Sequence, residues 1–229
     1  MTHRWLVLDL CAPLMAFGGV AIDHVGPTRD TPAASMLTGL FGNALGWHWS
    51  DWQAHQLLQD RLVFAARIDQ EGSLVTDSQN AKLGKNDRGW TTAGLVEGRD
   101  GASYDAPHRR RRDYLADARV VVVLRLTQRE AAPSLDKLAD ALNRPARPLF
   151  IGRKPCLPTR PLFAGWTEAD SAYAALSATG QTPTRAQWPV GEGPAGEATL
   201  DLPDMRNWRS GLHGGRRLVI QGQISGAKS

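Results

Sequence analysis

The sequence predicts an α+β fold, a ferredoxin-like sandwich formed as one domain over residues 1–229. Three observations predict it. Two apolar strand patterns are each followed by a helical pattern and then by a further strand pattern, which defines two β-α-β units. A polar excursion separates these two units. The resulting order is approximately β-α-β, β-α-β. With 229 residues and 42% hydrophobic content, the chain can bury a substantial core.

The first unit begins with a strand over Arg4–Leu10, in which apolar residues alternate between the two faces. A loop rich in Gly and Pro covers residues 12–31. A helix then begins near Pro32 and Ser35 and ends near Gly46. Its apolar residues recur at the spacing of a buried helical stripe, namely Leu37, Leu40, Phe41, Ala44 and Leu45.

A strand over Leu62–Ile68 completes the first unit, and the second unit begins with a strand over Arg119–Leu126, which is apolar enough for burial on both faces. Ser134 is the predicted N-cap of a second helix that Pro145 stops. Residues 148–152 and 217–221 are further predicted strands, and residues 182–196, rich in Pro and Gly, are a predicted loop.

The polar excursion is predicted to form a protruding hairpin, with residues 69–113 as the insert. It has no sustained apolar period and is crowded with Gly, Asp, Asn and Ser, so a disordered insert is the alternative. Two strand-like patches, Leu74–Thr76 and Trp90–Thr92, flank a turn at residues 83–87. The patches favour the hairpin.

Charge is modest in total but uneven along the chain. The net charge is +4, yet residues 144–160 and residues 206–229 each carry five basic residues and no acidic one. Such segments can converge on one face, as nucleic-acid binding requires. Cys11 and Cys156 form no CxxC pair, which argues against a disulfide framework or a zinc ribbon.

The chain is expected to reside in a reducing cytoplasm and not in a membrane. Asp9 and Pro13 interrupt the apolar start, so a signal peptide is not predicted. No apolar run is long enough to span a bilayer.

Four adjacent arginines, Arg109–Arg112, lie where the polar excursion meets an apolar strand. Their guanidinium groups suit phosphate oxygens, and Tyr114 offers a ring on which a base could stack. Residues 211–217 combine small residues with two arginines and also suit phosphate. A solvated charge run and a plain hairpin turn are the respective alternatives.

The histidines and tryptophans allow less specific hypotheses. The six histidines lack the spacing of a metal site, so neither a metal nor a cofactor is expected. Acid–base cleavage of RNA by His24, His108 or His213 is possible, although loop histidines are usually only solvated. The cluster Trp47, Trp49 and Trp52 is interpreted as a core edge or a partner interface rather than a base-stacking platform.

In order and spacing, several segments resemble the CRISPR-associated family-five proteins of the RAMP superfamily, specifically the CasD subunits of type I-E Cascade. These segments are residues 4–18, 31–46, 112–126 and 148–163. The resemblance implies an RRM-like core whose hairpin is a thumb, bound to the 5′ handle of a CRISPR RNA. It also implies that the thumb reaches the Cascade backbone subunit, that the large subunit docks nearby, and that the whole complex holds target DNA.

The same resemblance assigns RNA-binding residues by position. Arg111, Arg112 and Tyr114 would lie at the thumb base against the handle, and Pro32 and Ser35 would offer a helix N-terminus to phosphate. The remaining predicted contacts are Met15, Phe17, Gly18, Arg29, Arg153, Lys154 and His213. Ala34 stands where relatives often have a basic residue, which shifts the expected phosphate contact to Arg29. The longer loop before the last strand leaves the role of His213 open.

The predicted function is therefore that of a non-catalytic subunit that caps the 5′ handle of the CRISPR RNA and nucleates assembly of an antiviral complex. One alternative is a metal-independent endoribonuclease that trims precursor RNA, as type I-C relatives do. The other is a general binder of single-stranded RNA with no preference for the handle.

Overall fold

The protein is described from a computed structural model, over residues 1–81, 89–90, 96–97, 108–128, 130–180 and 183–224. These residues contain four helices, which are α1 (Ala34–Ala44), α2 (Trp52–Arg61), α3 (Leu135–Asn143) and α4 (Ala172–Ala178). The strands are β1 (His3–Cys11), β2 (Leu14–Met15), β3 (Val25–Gly26), β4 (Leu62–Gln70), β5 (Ser73–Ala81), β6 (Gly89–Trp90), β7 (Val96–Glu97), β8 (His108–Ala116), β9 (Arg119–Leu126), β10 (Phe163–Ala169), β11 (Thr184–Pro189), β12 (Ala198–Leu202) and β13 (Arg217–Ile224).

A seven-stranded antiparallel sheet forms the centre of the molecule, in the order β10-β1-β9-β4-β11-β13-β12. The α+β class predicted from the sequence is confirmed. Predicted strands at residues 4–10, 62–68, 119–126 and 217–221 all lie within strands of this sheet. Their alternating or continuous apolar residues fit a sheet that is buried on both faces at its centre.

The two faces of the sheet pack against different helices. Leu6, Leu8 and Leu10 lie in the larger core cluster with residues of α1, α2 and α3. Trp5 and Val7, which alternate with them, lie in a smaller cluster with α4. The period of two along β1 thus distributes its side chains between two layers of helices.

Local capping explains where the helices begin and end. Ser134 caps α3 as predicted, because its hydroxyl accepts from the backbone N–H of Lys137 at 3.2 Å. The chain leaves α1 through Gly46, whose φ of 79° is in the left-handed region that glycine adopts at low cost. The guanidinium of Arg147 donates to the carbonyls of Gly46 and Trp47 at 2.9 and 2.7 Å.

Two predicted elements are wrong. Residues 148–152 form an irregular segment instead of a strand, in which only Ile151 is buried. Gly152 packs against Ala16 so closely that a Cβ would lie 1.6 Å from the Ala16 carbonyl oxygen. Residues 184–189, predicted as loop, form β11 between β4 and β13. The buried pair Ala186 and Trp188 gives this strand its inner face, but the run is too short to stand out beside its Pro and Gly neighbours.

A long two-stranded arm consists of β5 and β8, which pair from Ser73 opposite Ala116 to Ala81 opposite His108. Every residue of β5 is exposed. The predicted partnership of residues 74–76 with residues 90–92 is wrong, because residues 74–76 face residues 113–115 and Trp90 faces Val96. The predicted turn at residues 83–87, together with residues 91 and 92, lies outside the described residues. Among the described residues, no helix is both long and apolar enough to cross a membrane.

Candidate nucleic-acid interface

A cavity of about 380 Å³ lies beside the first turns of α1. Segments from four parts of the chain meet there, and they bring together four of the predicted site residues, Gly18, Ser35, Arg153 and His213. The other residues that line it are Ala16, Met36, Gly39, Leu40, Phe150, Gly152, Arg206, Trp208 and Gly211. We call this space the α1 cavity. None of these lining residues is acidic.

Several polar groups of the α1 cavity are free to bind a ligand. Within the described part of the chain, the Ser35 hydroxyl and the His213 imidazole make no hydrogen bond, and Arg206 has no carboxylate partner. His213 and Arg206 are exposed, and Ser35 is half-buried. The cavity therefore presents a hydroxyl, an imidazole and a guanidinium without a competing negative charge.

Trp208 is held rigidly at the wall of the cavity by α2. Its ring stacks on His55 with centroids 4.5 Å apart and planes 23° apart, and its Nε1 donates to Gln59 Oε1 at 3.1 Å. Gln59 also binds both the backbone N–H and the carbonyl of Arg206, at 3.1 and 2.9 Å. Neither Trp208 nor Arg206 was predicted as a site residue. The alternation of basic and aromatic residues at 206–209 is the signal that could have indicated them.

The predicted tryptophan cluster contributes indirectly to this wall. Trp47 contacts His55 edge-on at a centroid distance of 5.1 Å and packs against the larger core cluster. The guanidinium of Arg209 lies 5.7 Å from the centroid of the Trp52 ring. Trp49 is 79% exposed. Trp47 is thus a core-edge residue behind Trp208.

Arg153 connects the base of the arm to the loop before α1. Its guanidinium donates to the carbonyls of Asp113 and Gly26, each at 2.8 Å, and lies 4.9 Å from the centroid of the Tyr114 ring. A Cβ on Gly26 would lie 3.0 Å from Arg153 and 3.5 Å from Arg112. The absence of a side chain at Gly26 therefore lets two guanidinium groups approach each other beside the arm.

The arginine run does not form one cluster, because residues alternate between the two faces of β8. Arg109 and Arg111 point to one face, and Arg110 and Arg112 to the other. The first three are exposed, whereas Arg112 is half-buried and donates to Gln79 Oε1 at 3.2 Å. His24 lies beside this run, since its carbonyl accepts from the Arg111 N–H at 2.8 Å, but it does not line the α1 cavity. Lys154 is exposed next to Arg153.

Four residues assigned to RNA contact are buried. Tyr114 is only 3% exposed and belongs to the larger core cluster, so its ring cannot stack on a base. Met15 and Phe17 are fully buried in the same cluster, and Pro32 is buried as well. These side chains are therefore not exposed for contact with RNA in this structure, because they pack beneath the loops that carry the exposed cations.

At the start of α1, where a phosphate contact is predicted, the protein places one of its own carboxylates. Asp204 Oδ2 accepts from the backbone N–H of Ala34 at 3.2 Å, and the Asp204 carbonyl accepts from the N–H of Ser35 at 3.1 Å. The carboxylate is buried and bound by Arg217, whose Nη2 lies 2.5 Å from Oδ2. An anionic ligand would meet a negative group where free amides were expected.

The strap, defined as residues 203–217, occupies other predicted phosphate ligands in the same way. Arg29 is half-buried and donates to the Pro203 carbonyl at 3.0 Å. Arg216 pairs with Asp201 at 2.8 Å on the surface. Arg29 thus bonds the strap to the loop before α1, Arg216 bonds it to β12, and Arg217 joins its two ends through Asp204.

Ion pairs elsewhere in the molecule contrast with the unpaired cations of the α1 cavity. Arg119 binds both oxygens of Asp9, at 2.9 and 3.0 Å, and this contact raises the pKa of Arg119. Arg125 pairs with Glu192. Arg61 is buried and donates to four backbone carbonyls, and its burial lowers its pKa. At the α1 cavity, Arg206 has no carboxylate partner within the described residues, whereas Arg153 is bound to two backbone carbonyls.

Comparisons with known proteins identify the family to which the chain is similar. Residues 5–220 match the family described as "CRISPR-associated protein (Cas_Cas5)". A curated relative from Escherichia coli (strain K12), "CRISPR system Cascade subunit CasD", is 31% identical over 174 residues, which are 76% of each chain. A solved chain from a "CRISPR RNA-guided surveillance complex" is similar in fold, with a TM-score of 0.69 and 22% identity over 96% of this chain and 90% of that one.

A second solved structure, "Crystal structure of Cas protein", has a TM-score of 0.58 and 21% identity, covering 96% of this chain and 93% of that one. At these identities the two structures support the fold alone. The family match spans nearly the whole described core and includes the segments that line the α1 cavity. The chain therefore belongs to the CRISPR-associated (Cas_Cas5) protein family.

Proposed function

We propose that this protein is a non-catalytic subunit of a type I-E Cascade complex that binds the 5′ handle of the CRISPR RNA. The observation that carries the proposal is the α1 cavity, where the Ser35 hydroxyl and the His213 imidazole make no hydrogen bond within the described residues and the lining contains no acidic residue. Single-stranded RNA is bound by such combinations of cationic rims and aromatic walls. The relative named as a Cascade subunit supports the same role.

The proposal includes a ferredoxin-like, RRM-like core. Strands β1, β4, β9 and β10 lie side by side in the order β10-β1-β9-β4, with α1 and α2 between β1 and β4, and α3 between β9 and β10. This order of two interleaved β-α-β units is the arrangement expected of that fold. The arm, within residues 69–113, would be the thumb that contacts the Cascade backbone subunit.

Binding of the RNA is assigned to exposed or half-buried residues at the cavity and the arm base. Ser35, Arg206 and His213 would contact the part of the RNA at the cavity, and Lys154, Arg111 and Arg112 would contact phosphates alongside. Tyr114 and Arg153 would position the arm base, since one is buried and the other is bonded to two backbone carbonyls. Capping of the handle would nucleate assembly with the large subunit, and the whole complex would hold target DNA. A cytoplasmic setting suits the two free thiols.

The RNA-binding role is tested with the variant Arg206→Ala, combined with Lys154→Ala. We expect weaker binding to an RNA that carries the repeat-derived 5′ segment of the host's CRISPR transcripts. Each lost phosphate contact should reduce the slope of log K against log salt by about 0.7 for a single strand. Arg216→Ala is the matched control, because Arg216 is exposed but already paired with Asp201. An unchanged affinity and slope in the double variant would contradict the assignment.

The non-catalytic role and the preference for the handle are tested separately. Purified protein is incubated with labelled repeat RNA in EDTA, and we expect intact RNA. A discrete cut that disappears in His213→Ala would instead establish the metal-independent endoribonuclease, with the free imidazole of the cavity as its acid or base. Equal affinity for a scrambled RNA would identify a general single-strand binder.

A further inference from the structure

We infer that the α1 cavity receives one nucleobase, turned out of the RNA strand and packed against Trp208. This inference rests on the proposed function, because it requires that RNA bind at this face. The volume of about 380 Å³ lies near the lower end of the range of small-molecule sites, about 300–1,000 Å³. It is suited to a single heterocycle and too small for a folded segment.

The lining of the cavity favours a base over a phosphate. Met36, Leu40, Phe150 and the ring of Trp208 supply apolar walls. Arg153, the cation nearest the core, is committed to two backbone carbonyls at 2.8 Å and to the Tyr114 ring, so it has little capacity left for an anion. Arg206 is exposed at the rim and has no carboxylate partner among the described residues, with its guanidinium 5.2 Å from the centroid of the Trp208 ring. Phosphates would therefore remain at the rim while the apolar interior takes the base.

Trp208 meets the requirement for a stacking wall, which is a ring that is fixed before the base arrives. The contact with His55 and the hydrogen bond to Gln59 restrain its plane and its edge. A preorganised aromatic group loses little conformational freedom on binding, so more of the stacking energy appears as affinity. Base–aromatic stacking is worth about 1–3 kcal/mol per base, which corresponds to about 5- to 150-fold in affinity.

Gly39 borders the cavity without a side chain. Gly39 lies on the face of α1 that borders it, and a Cβ at this position would lie 3.7 Å from Cη2 of Trp208. A helix gains about 1 kcal/mol when an interior glycine is replaced by a good helix former. A glycine at position 39 is therefore unfavourable for α1 itself, and space for a ligand is the reason that we assign to it.

The edge of the base would be read by Ser35 and His213. Hydroxyl and imidazole groups each both donate and accept hydrogen bonds, and both groups are free within the described part of the chain. A site that fixes the orientation of one ring usually has apolar walls and only a few polar groups. His213 is thus a specificity-determining residue in this inference.

The experiment combines a filled cavity with a base-deletion scan. The full-length protein and its Gly39→Leu variant are titrated with a synthetic RNA carrying the repeat-derived 5′ segment, in which each nucleotide in turn is made abasic. Gln53→Leu, an added leucine on the exposed face of α2, is the control. We expect one abasic position to weaken binding to the unaltered protein about 5- to 150-fold and to leave binding to Gly39→Leu unchanged. The salt slope of Gly39→Leu should equal that of the unaltered protein.

The outcomes separate this inference from the proposed function. If the RNA is bound in preference to a scrambled one but every abasic position costs the same in both proteins, no base enters the cavity and only the inference is overturned. If the RNA is bound no better than a scrambled one, the proposed function fails and the inference fails with it. Because Gly39→Leu also changes a residue of α1, His213→Ala is measured as well. The His213→Ala variant removes an exposed side chain that makes no hydrogen bond. It should reduce the discrimination among the four bases at that one position alone. Unchanged discrimination at that position would also overturn the inference.

Discussion

Replacement of Asp204 by alanine should destabilise the protein through one buried ion pair and one helix cap. The carboxylate is fully buried and bound by Arg217, and it also accepts from the backbone N–H of Ala34 at the start of α1. Asp204→Ala leaves the guanidinium of Arg217 with no carboxylate and leaves an amide of the first helical turn unpaired. Asp204→Asn retains an oxygen for Ala34 but removes the charge, so it separates the two contributions.

The size of the destabilisation by Asp204→Ala follows from the burial of Asp204 and Arg217. Removal of one member of a buried ion pair costs about 3–5 kcal/mol, because the other charge remains without compensation. The side chain of Arg217 is 17% exposed, so water relieves part of that cost and the lower end applies. Loss of the cap adds about 1 kcal/mol. The sum of about 4 kcal/mol should lower the Tm of a chain of this size by roughly 8–16 °C.

The assay is urea unfolding followed by circular dichroism, with the neighbouring pair Asp201 and Arg216 as the control. That pair has the same residue types at 2.8 Å, but its side chains are 45% and 66% exposed. Asp201→Ala should therefore cost less than about 1 kcal/mol. A double-mutant cycle of Asp204→Ala with Arg217→Met measures the coupling. If Asp204→Ala costs no more than Asp201→Ala, the reasoning from burial is refuted.

Two further predictions concern the core beneath the α1 cavity. Gly152→Ala should prevent stable folding, since the new Cβ would lie 1.6 Å from the Ala16 carbonyl oxygen. Gly191→Ala has a similar φ of 85° but open space around its Cβ, so it should cost only about 1–2 kcal/mol; equal urea midpoints for the two variants would contradict this. Burial raises the pKa of the Cys156 thiol, so the folded state retains a proton that the unfolded state releases near pH 8.5. Stability should fall as the pH rises past that value, and Cys156→Ala should remove this part of the fall; an identical pH profile in Cys156→Ala would argue against it.

The main strands and the capped helix α3 could be predicted from local sequence. The apolar run of β9 and the alternation in β1 are visible over single windows, and Ser134 precedes the apolar stripe that it caps. Elements with weaker local signals were missed. The mean hydropathy of α2 is low, and β11 lies among Pro and Gly. The apolar residues at 148–152 lie in an irregular segment that packs against Ala16 through Gly152.

The site could be predicted only as a set of segments. Gly18, Ser35, Arg153 and His213 were all indicated, and the structure brings them to one cavity. Whether a residue faces that cavity, the core or an ion pair depends on packing, and there the predictions diverged. Tyr114 is covered by the core, and the run of four arginines is divided between the two faces of a strand.

By itself, the sequence determined the α+β class, the positions of the central strands and the excess of positive charge in particular segments, because these depend on the period and composition of neighbouring residues. Only the tertiary structure decided which cations remain unpaired. Asp204 closes the start of α1 from 170 residues away, and Gln59 orients Trp208 across 149 residues. Contacts between such distant residues arise from the folded chain as a whole, so no local pattern encodes them.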